Sequence, residues 1–228
     1  VHVFSVNEDS LSGSMAHNYY LYESGGRLNL IPWDYNLALG GMGGGNDAAS
    51  VVNSAIDNAF SATTFFDTLM EDETYHSRYY AYLQQLVREY IEGGGFDAFY
   101  TRVRSQIDTL VETDPTAFYS YDEYLTAADT LYQVVKLRGQ SIEGQLDGTI
   151  PSTEEEQRTS DALVDTSALD ISAMGSMNTG GGFQNRERPE EDSDKTQSNA
   201  GSSDTAAEAA NTPPAGFDQS QPEKASGS

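Results

Sequence analysis

The sequence predicts an α+β fold: a β-hairpin close to the start, a mainly helical body behind it, and an acidic tail without fixed structure. Three observations carry this. Two aromatic and aliphatic runs flank Ser24-Gly25-Gly26, apolar residues then recur at helical spacing between glycine stops, and apolar content collapses in the last third of the 228 residues.

Apolar Val1, Val3, Phe4 and Val6 give way to Asn7-Glu8-Asp9-Ser10-Leu11-Ser12-Gly13, a polar, small-residue loop leaving a buried stretch. The hairpin follows as Asn18-Tyr19-Tyr20-Leu21-Tyr22-Glu23, a glycine turn, and Arg27-Leu28-Asn29-Leu30-Ile31. With Glu23 facing Arg27, antiparallel pairing places Asn18 opposite Pro32. Pro32 has no N–H for the ladder and ends the second strand, so Asn18 and Asp34 meet at one end of the hairpin. Asp9 reaches that end through the preceding loop.

Beyond the hairpin, Leu69, Tyr79, Leu83, Leu86 and Tyr90 mark one helical face over 64–92, which reads as core and ends at Gly93-Gly94-Gly95. A second helix starts at Phe96 and runs to Glu112, where Asp114-Pro115 breaks it. Ser120 and Glu123 have capping-box spacing and open a third helix toward Leu146, stopped by Gly148. The folded domain is therefore 1–150. Leu163, Val164, Leu169, Ile171 and Met174 make 151–174 a docking segment. From 175 to 228 the chain is Ser, Gly, Asn, Thr, Pro and charge, with Phe183 and Phe217 its sole aromatics, too little apolar surface to offset ordering.

Charge narrows the partners. A net charge of −24 repels phosphate backbones and anionic bilayers, so nucleic acid is excluded as a partner. No apolar run approaches the roughly 18 residues of a spanning helix. The chain has no cysteine, and His2, His17 and His76 lack zinc spacing. His17 reads as a hydrogen-bonded structural residue and Trp33 as a core or lobe-packing aromatic.

A carboxylate, an amide, a hairpin and a second carboxylate follow the order in which protein kinases carry their catalytic base, metal-binding Asn and metal-binding Asp. Mg²⁺ takes hard oxygen ligands, and a free carboxylate can accept the proton of an attacking hydroxyl. The strings Asn7-Glu8-Asp9-Ser10, His17-Asn18-Tyr19-Tyr20-Leu21-Tyr22 and Ile31-Pro32-Trp33-Asp34-Tyr35-Asn36-Leu37-Ala38-Leu39-Gly40 closely resemble the CotH family of spore-coat-protein-H-like atypical protein kinases.

That resemblance implies the carboxy-terminal lobe of a protein-kinase-like fold, with ATP and Mg²⁺ as cofactors and Ser or Thr of a protein substrate as acceptor. It assigns Asp9 as catalytic base and Asn18 and Asp34 as metal ligands. It also implies an extracellular, cell-surface or spore-coat setting. No nucleotide-gripping lobe is legible ahead of Asp9, where Arg27 is the first basic residue, and Gly40–Gly45 lacks the Lys-Ser/Thr ending of a P-loop. The amino-terminal lobe is therefore expected upstream of Val1. The competing expectation is a non-catalytic surface or coat-assembly module on the same fold.

Overall fold

The computed structural model describes residues 1–13, 15–41, 47–57 and 64–175. The glycine run beyond Gly41 and the tail from 176 onward lie outside the described residues. Within them the architecture is mixed, a two-stranded antiparallel sheet beside a helical body.

Strands β1 (Tyr19–Ser24) and β2 (Arg27–Pro32) form the hairpin. Its register differs by one from the expected pairing. Glu23 faces Leu28, Ser24 faces Arg27, and Tyr19 rather than Asn18 lies opposite Pro32. The turn explains the shift: Gly25 and Gly26 both take positive φ, 60° and 75°, so two residues suffice to reverse the chain, as in a type I′ turn. Asn18 falls just outside the ladder, where its carbonyl accepts the N–H of Trp33 at 3.2 Å. Trp33 is no core residue, being 48% exposed and set against Tyr20 at a ring distance of 6.0 Å.

The body comprises α1 (Ala48–Val52), α2 (Thr64–Met70), α3 (Glu73–Gln85), α4 (Gly95–Glu112), α5 (Tyr121–Asp147) and α6 (Glu154–Gln157). The single helix anticipated over 64–92 is interrupted before Glu73, because the Asp72 side chain accepts from Thr74 N and Tyr75 N and caps a fresh start. After Gln85 the chain winds as a π-helix, Leu86–Glu92. Leu83, Val87 and Ile91, four apart and all buried, drift off a 3.6-residue turn; a wider turn keeps them in line against α5. The α4 stripe buries no residue, and Phe99 and Leu110 stay 45% and 67% exposed. The start of α5 is as the residues suggest: Ser120 Oγ accepts Glu123 N–H while the Glu123 carboxylate accepts Ser120 N–H.

Helix α5 is the axis of the core. Val135 and Ile142 join Val3, Phe4, Ile56, Leu83, Val87 and Ile91 in one apolar cluster. Within it Arg138 is fully buried and has no carboxylate partner among the described residues. Its Nε donates to Phe4 O at 3.2 Å, Nη2 to Val3 O at 3.0 Å, and Nη1 to Val52 O at 3.1 Å and Ser54 O at 2.5 Å. Gln145 and Ser141 extend the polar seam: Gln145 Oε1 accepts Ile56 N–H at 2.9 Å, and Asn53 Oδ1 accepts Ser141 Oγ–H at 3.2 Å.

Residues 151–175 lie along this seam. Asn53 holds Val164 by both backbone groups, accepting its N–H at 3.0 Å and donating to its carbonyl at 3.1 Å. A 3₁₀ turn, Ile171–Met174, packs on α5. Asp57 anchors the front of the segment, accepting from Ser152 Oγ and Tyr80 OH at 2.7 Å each and lying 3.0 Å from His76 Nε2. Burial pushes the Asp57 carboxyl up, but the hydrogen bonds from Ser152, Tyr80 and His76 more than offset it and leave its pKa below the ordinary carboxylate value. Among the described residues no helix is long and apolar enough to cross a membrane.

Two outcomes follow from this packing. Arg138→Met removes the guanidinium from four carbonyls, three of them buried, and should cost about 3–5 kcal/mol in urea unfolding. Asp57, with a depressed folded pKa, adds stability that is present above its unfolded value of about 3.9 and lost as pH falls through the lower folded value. Asp57→Asn should therefore cost about 1.5–3 kcal/mol at pH 7 and flatten the acid limb of a stability-versus-pH curve below about pH 4.

Candidate functional site

Asp9 sits in a loop built from its own backbone. Asn7 N donates to His2 O, Gly13 N to Ser10 O and Met15 N to Glu8 O, folding the chain back on itself within nine residues. Gly13 is required there, since a Cβ at that position would collide with the Glu8 carbonyl. The loop is buried at Asn7, Asp9, Ser10 and Ser12.

The loop and the hairpin bring two of the three sequence-predicted residues into contact. Asn18 Nδ2 donates to Asp9 Oδ2 at 2.6 Å. The other carboxylate oxygen, Oδ1, is buried without a hydrogen bond, as is Asn7 Nδ2. His17 Nδ1 lies 3.6 Å from that oxygen, too far for a hydrogen bond, and its side chain is 65% exposed. His17 is thus not the hydrogen-bonded structural residue its position suggests.

No hydrogen bond or ion pair joins Asp34 to Asp9, to Asn18 or to any other of the described residues, and Asp34 is exposed. Its backbone is nonetheless tied to the site on both sides. Trp33 N bonds Asn18 O before it, and Leu39 N bonds Ser5 O at 2.7 Å after it. Tyr35 also stacks on His2, with ring centroids 5.6 Å apart and its hydroxyl 3.4 Å from His2 Nδ1.

Backbone strain gathers in the same place. Val6, Ala16, Asn18, Asp34 and Leu39 have φ between 47° and 62°, and among the described residues no other non-glycine does so. Such conformations cost of order 1–3 kcal/mol each for side chains beyond glycine, and a β-branched Val6 is the least expected. The helical body carries none of this strain.

The donor chemistry suits a hard cation. With Nδ2 turned to Asp9, the Asn18 Oδ1 has no hydrogen bond among the described residues, and Asp34 is exposed, so Asn18 and Asp34 offer two oxygen ligands of the kind Mg²⁺ takes alongside phosphate and water. No group of three or more His, Cys, Asp or Glu side chains able to hold a metal ion occurs among the described residues. The nearest cation in sequence, Arg27, sits at the opposite, turn end of the hairpin.

Sequence reasoning passed over Asn7 and Arg138. A signal for Asn7 was present, an Asn two residues ahead of the candidate base; Arg138 gave none, because its partners are carbonyls more than 80 residues away.

A loop-borne carboxylate and its hydrogen-bonded amide thus stand at the end of a hairpin that leads to a second carboxylate. The family model described as CotH kinase protein matches residues 1–142, well over half of the chain, and the chain belongs to that family. No curated protein and no solved structure matches it.

Removing the amide tests the local electrostatics. Asn18→Ala takes the donor from Asp9 Oδ2, beside a buried Oδ1 that already has none, and should lower stability by about 1–3 kcal/mol in urea titration, despite Asn18 lying outside the ladder.

Proposed function

We propose that this chain acts as a CotH-type protein kinase, transferring the γ-phosphoryl group of ATP to the hydroxyl of Ser or Thr in a protein substrate. The observation that carries the reading is the 2.6 Å Asn18–Asp9 hydrogen bond, formed at the hairpin end where Asp34 is also tethered. The loop–hairpin–loop followed by helices is taken as the carboxy-terminal lobe of a kinase-like fold.

In this reaction the acceptor oxygen forms a bond to Pγ while the Pγ–O bond to the β-phosphate breaks, and ADP leaves with that electron pair. Asp9 orients the hydroxyl and takes its proton, passing it to solvent afterwards. Asn18 bridges two duties, holding Asp9 through Nδ2 and offering Oδ1 to the metal. Asp34 supplies the carboxylate ligand. Bound Mg²⁺ would offset phosphate charge and align the leaving group.

One observation favours a second reading, a non-catalytic surface or coat-assembly module. Asp9 is buried, and Tyr20, Leu21, Tyr22, Leu28, Ile31 and Trp33 expose apolar surface along and just beyond the hairpin.

Labelled ATP, Mg²⁺ and dephosphorylated casein as a generic acceptor, tried with the full-length protein, separate the two. Because Asp34 is exposed and asparagine tolerates its positive φ, Asp34→Asn should leave the melting temperature unchanged and cut incorporation at least about 100-fold; Asp9→Ala should do the same to incorporation. Equal incorporation by the wild type and both variants rejects the kinase reading.

A further inference from the structure

The loop bearing Asp9 is organised by Asn7, which has no role in the site described so far. Asn7 is 4% exposed. Its Oδ1 accepts the Asp9 N–H at 3.2 Å, and its carbonyl accepts Ser10 Oγ at 2.7 Å and Ser10 N at 3.3 Å. Ser10 Oγ in turn lies 3.0 Å from Ser12 Oγ. A side chain bonded to the amide two residues on is an Asx turn, and it fixes the direction in which the second residue leaves the backbone. Here that residue is Asp9.

The residue type is informative. The same bond from residue i+2 recurs at the exposed Asp72, Asp114, Asp147, Asp165 and Asp170, and at the half-buried Ser160. Position 7 differs in being buried and in carrying the neutral amide. An aspartate there would set a second buried carboxylate two residues from Asp9, and like charges in a buried loop repel strongly. The amide avoids this at a cost: Nδ2 is left buried without a partner. Serine would accept the same bond while burying one hydroxyl donor in place of the two of the amide.

We infer that Asn7 is a positioning residue: through the Asp9 amide it holds the Asp9 carboxylate against Asn18 Nδ2. Only the kinetic part of the test rests on the phosphoryl-transfer reading.

The test compares the full chain with Asn7→Ala, Asn7→Ser and Asn7→Asp, each checked for folding by thermal melting. The first readout is the hydrogen-bonded side-chain amide proton of Asn18 in ¹⁵N–¹H spectra, identified by its loss in Asn18→Ala. Asn7→Ala and Asn7→Asp, folded, should shift or lose that resonance, whereas Asn7→Ser should keep it. The second readout is phosphate transfer: Asn7→Ala should lower kcat about 100-fold with KM for ATP within about twofold, and Asn7→Ser should recover most of it. An unchanged Asn18 resonance in folded Asn7→Ala overturns the inference. If the wild type transfers no phosphate, the kinase reading falls, and the Asn18 resonance still decides the role of Asn7.

Discussion

The rest of the structure hangs on one buried charge. Arg138 carries a guanidinium into the apolar core, where burial lowers its pKa to about 10 and still leaves it protonated near neutrality. Desolvating an ion is costly unless its donors are met. They are met by four carbonyls from two chain segments, Val3 with Phe4 and Val52 with Ser54. Arginine's planar fork serves several acceptors at once; lysine's single nitrogen would not span them. In a chain of net charge −24, using carbonyl dipoles rather than a carboxylate keeps a further buried anion out of the core. The first of those segments leads straight into the Asp9 loop, so the helical axis and the candidate site share one anchor.

Around that anchor the molecule divides in character. The body is regular helix, capped by Asp72 and Ser120, with apolar side chains lined up on α5. The site region has almost no regular structure beyond the hairpin and holds all five positive-φ non-glycine residues described. Strain of this kind persists only where surrounding bonds over-determine the backbone. Short local ties such as Leu39 to Ser5 and Trp33 to Asn18 do so here. Rigidity comes from the helices and shape from the loops, as expected of a site that must hold polar groups without partners of their own.

What the sequence made legible was local. The capping box at Ser120 and the stop at Gly148 depend on a few adjacent residues and stand where those residues suggest. The hairpin was legible too, though its register slipped by one because a Gly-Gly turn needs only two residues while Ser24 remains in the strand. The break at Asp72 was hidden by an apolar stripe that runs through it, and the π-helical stretch by the same stripe. The Asn53, Gln145 and Arg138 contacts join residues about 80 to 135 apart, and no spacing rule reports such pairs. At the site, residue types and order pointed to Asp9, Asn18 and Asp34, but which of them touch was decided by loop geometry. Hence the structure pairs Asp9 with Asn18 and leaves Asp34 tethered yet separate.

The segment after α5 changes what counts as the unit that folds. The family match ends at residue 142, inside α5, whereas Asn53 completes its hydrogen bonds only with Val164, and Asp57 with Ser152. Ile171 packs so closely over Gly40 that a Cβ there would come within 2.9 Å of it. Gly40 lies six residues beyond Asp34. A piece of chain cut where the family resemblance stops would keep every candidate site residue and lose the wedge that backs them, so homology limits and mechanical limits do not coincide here.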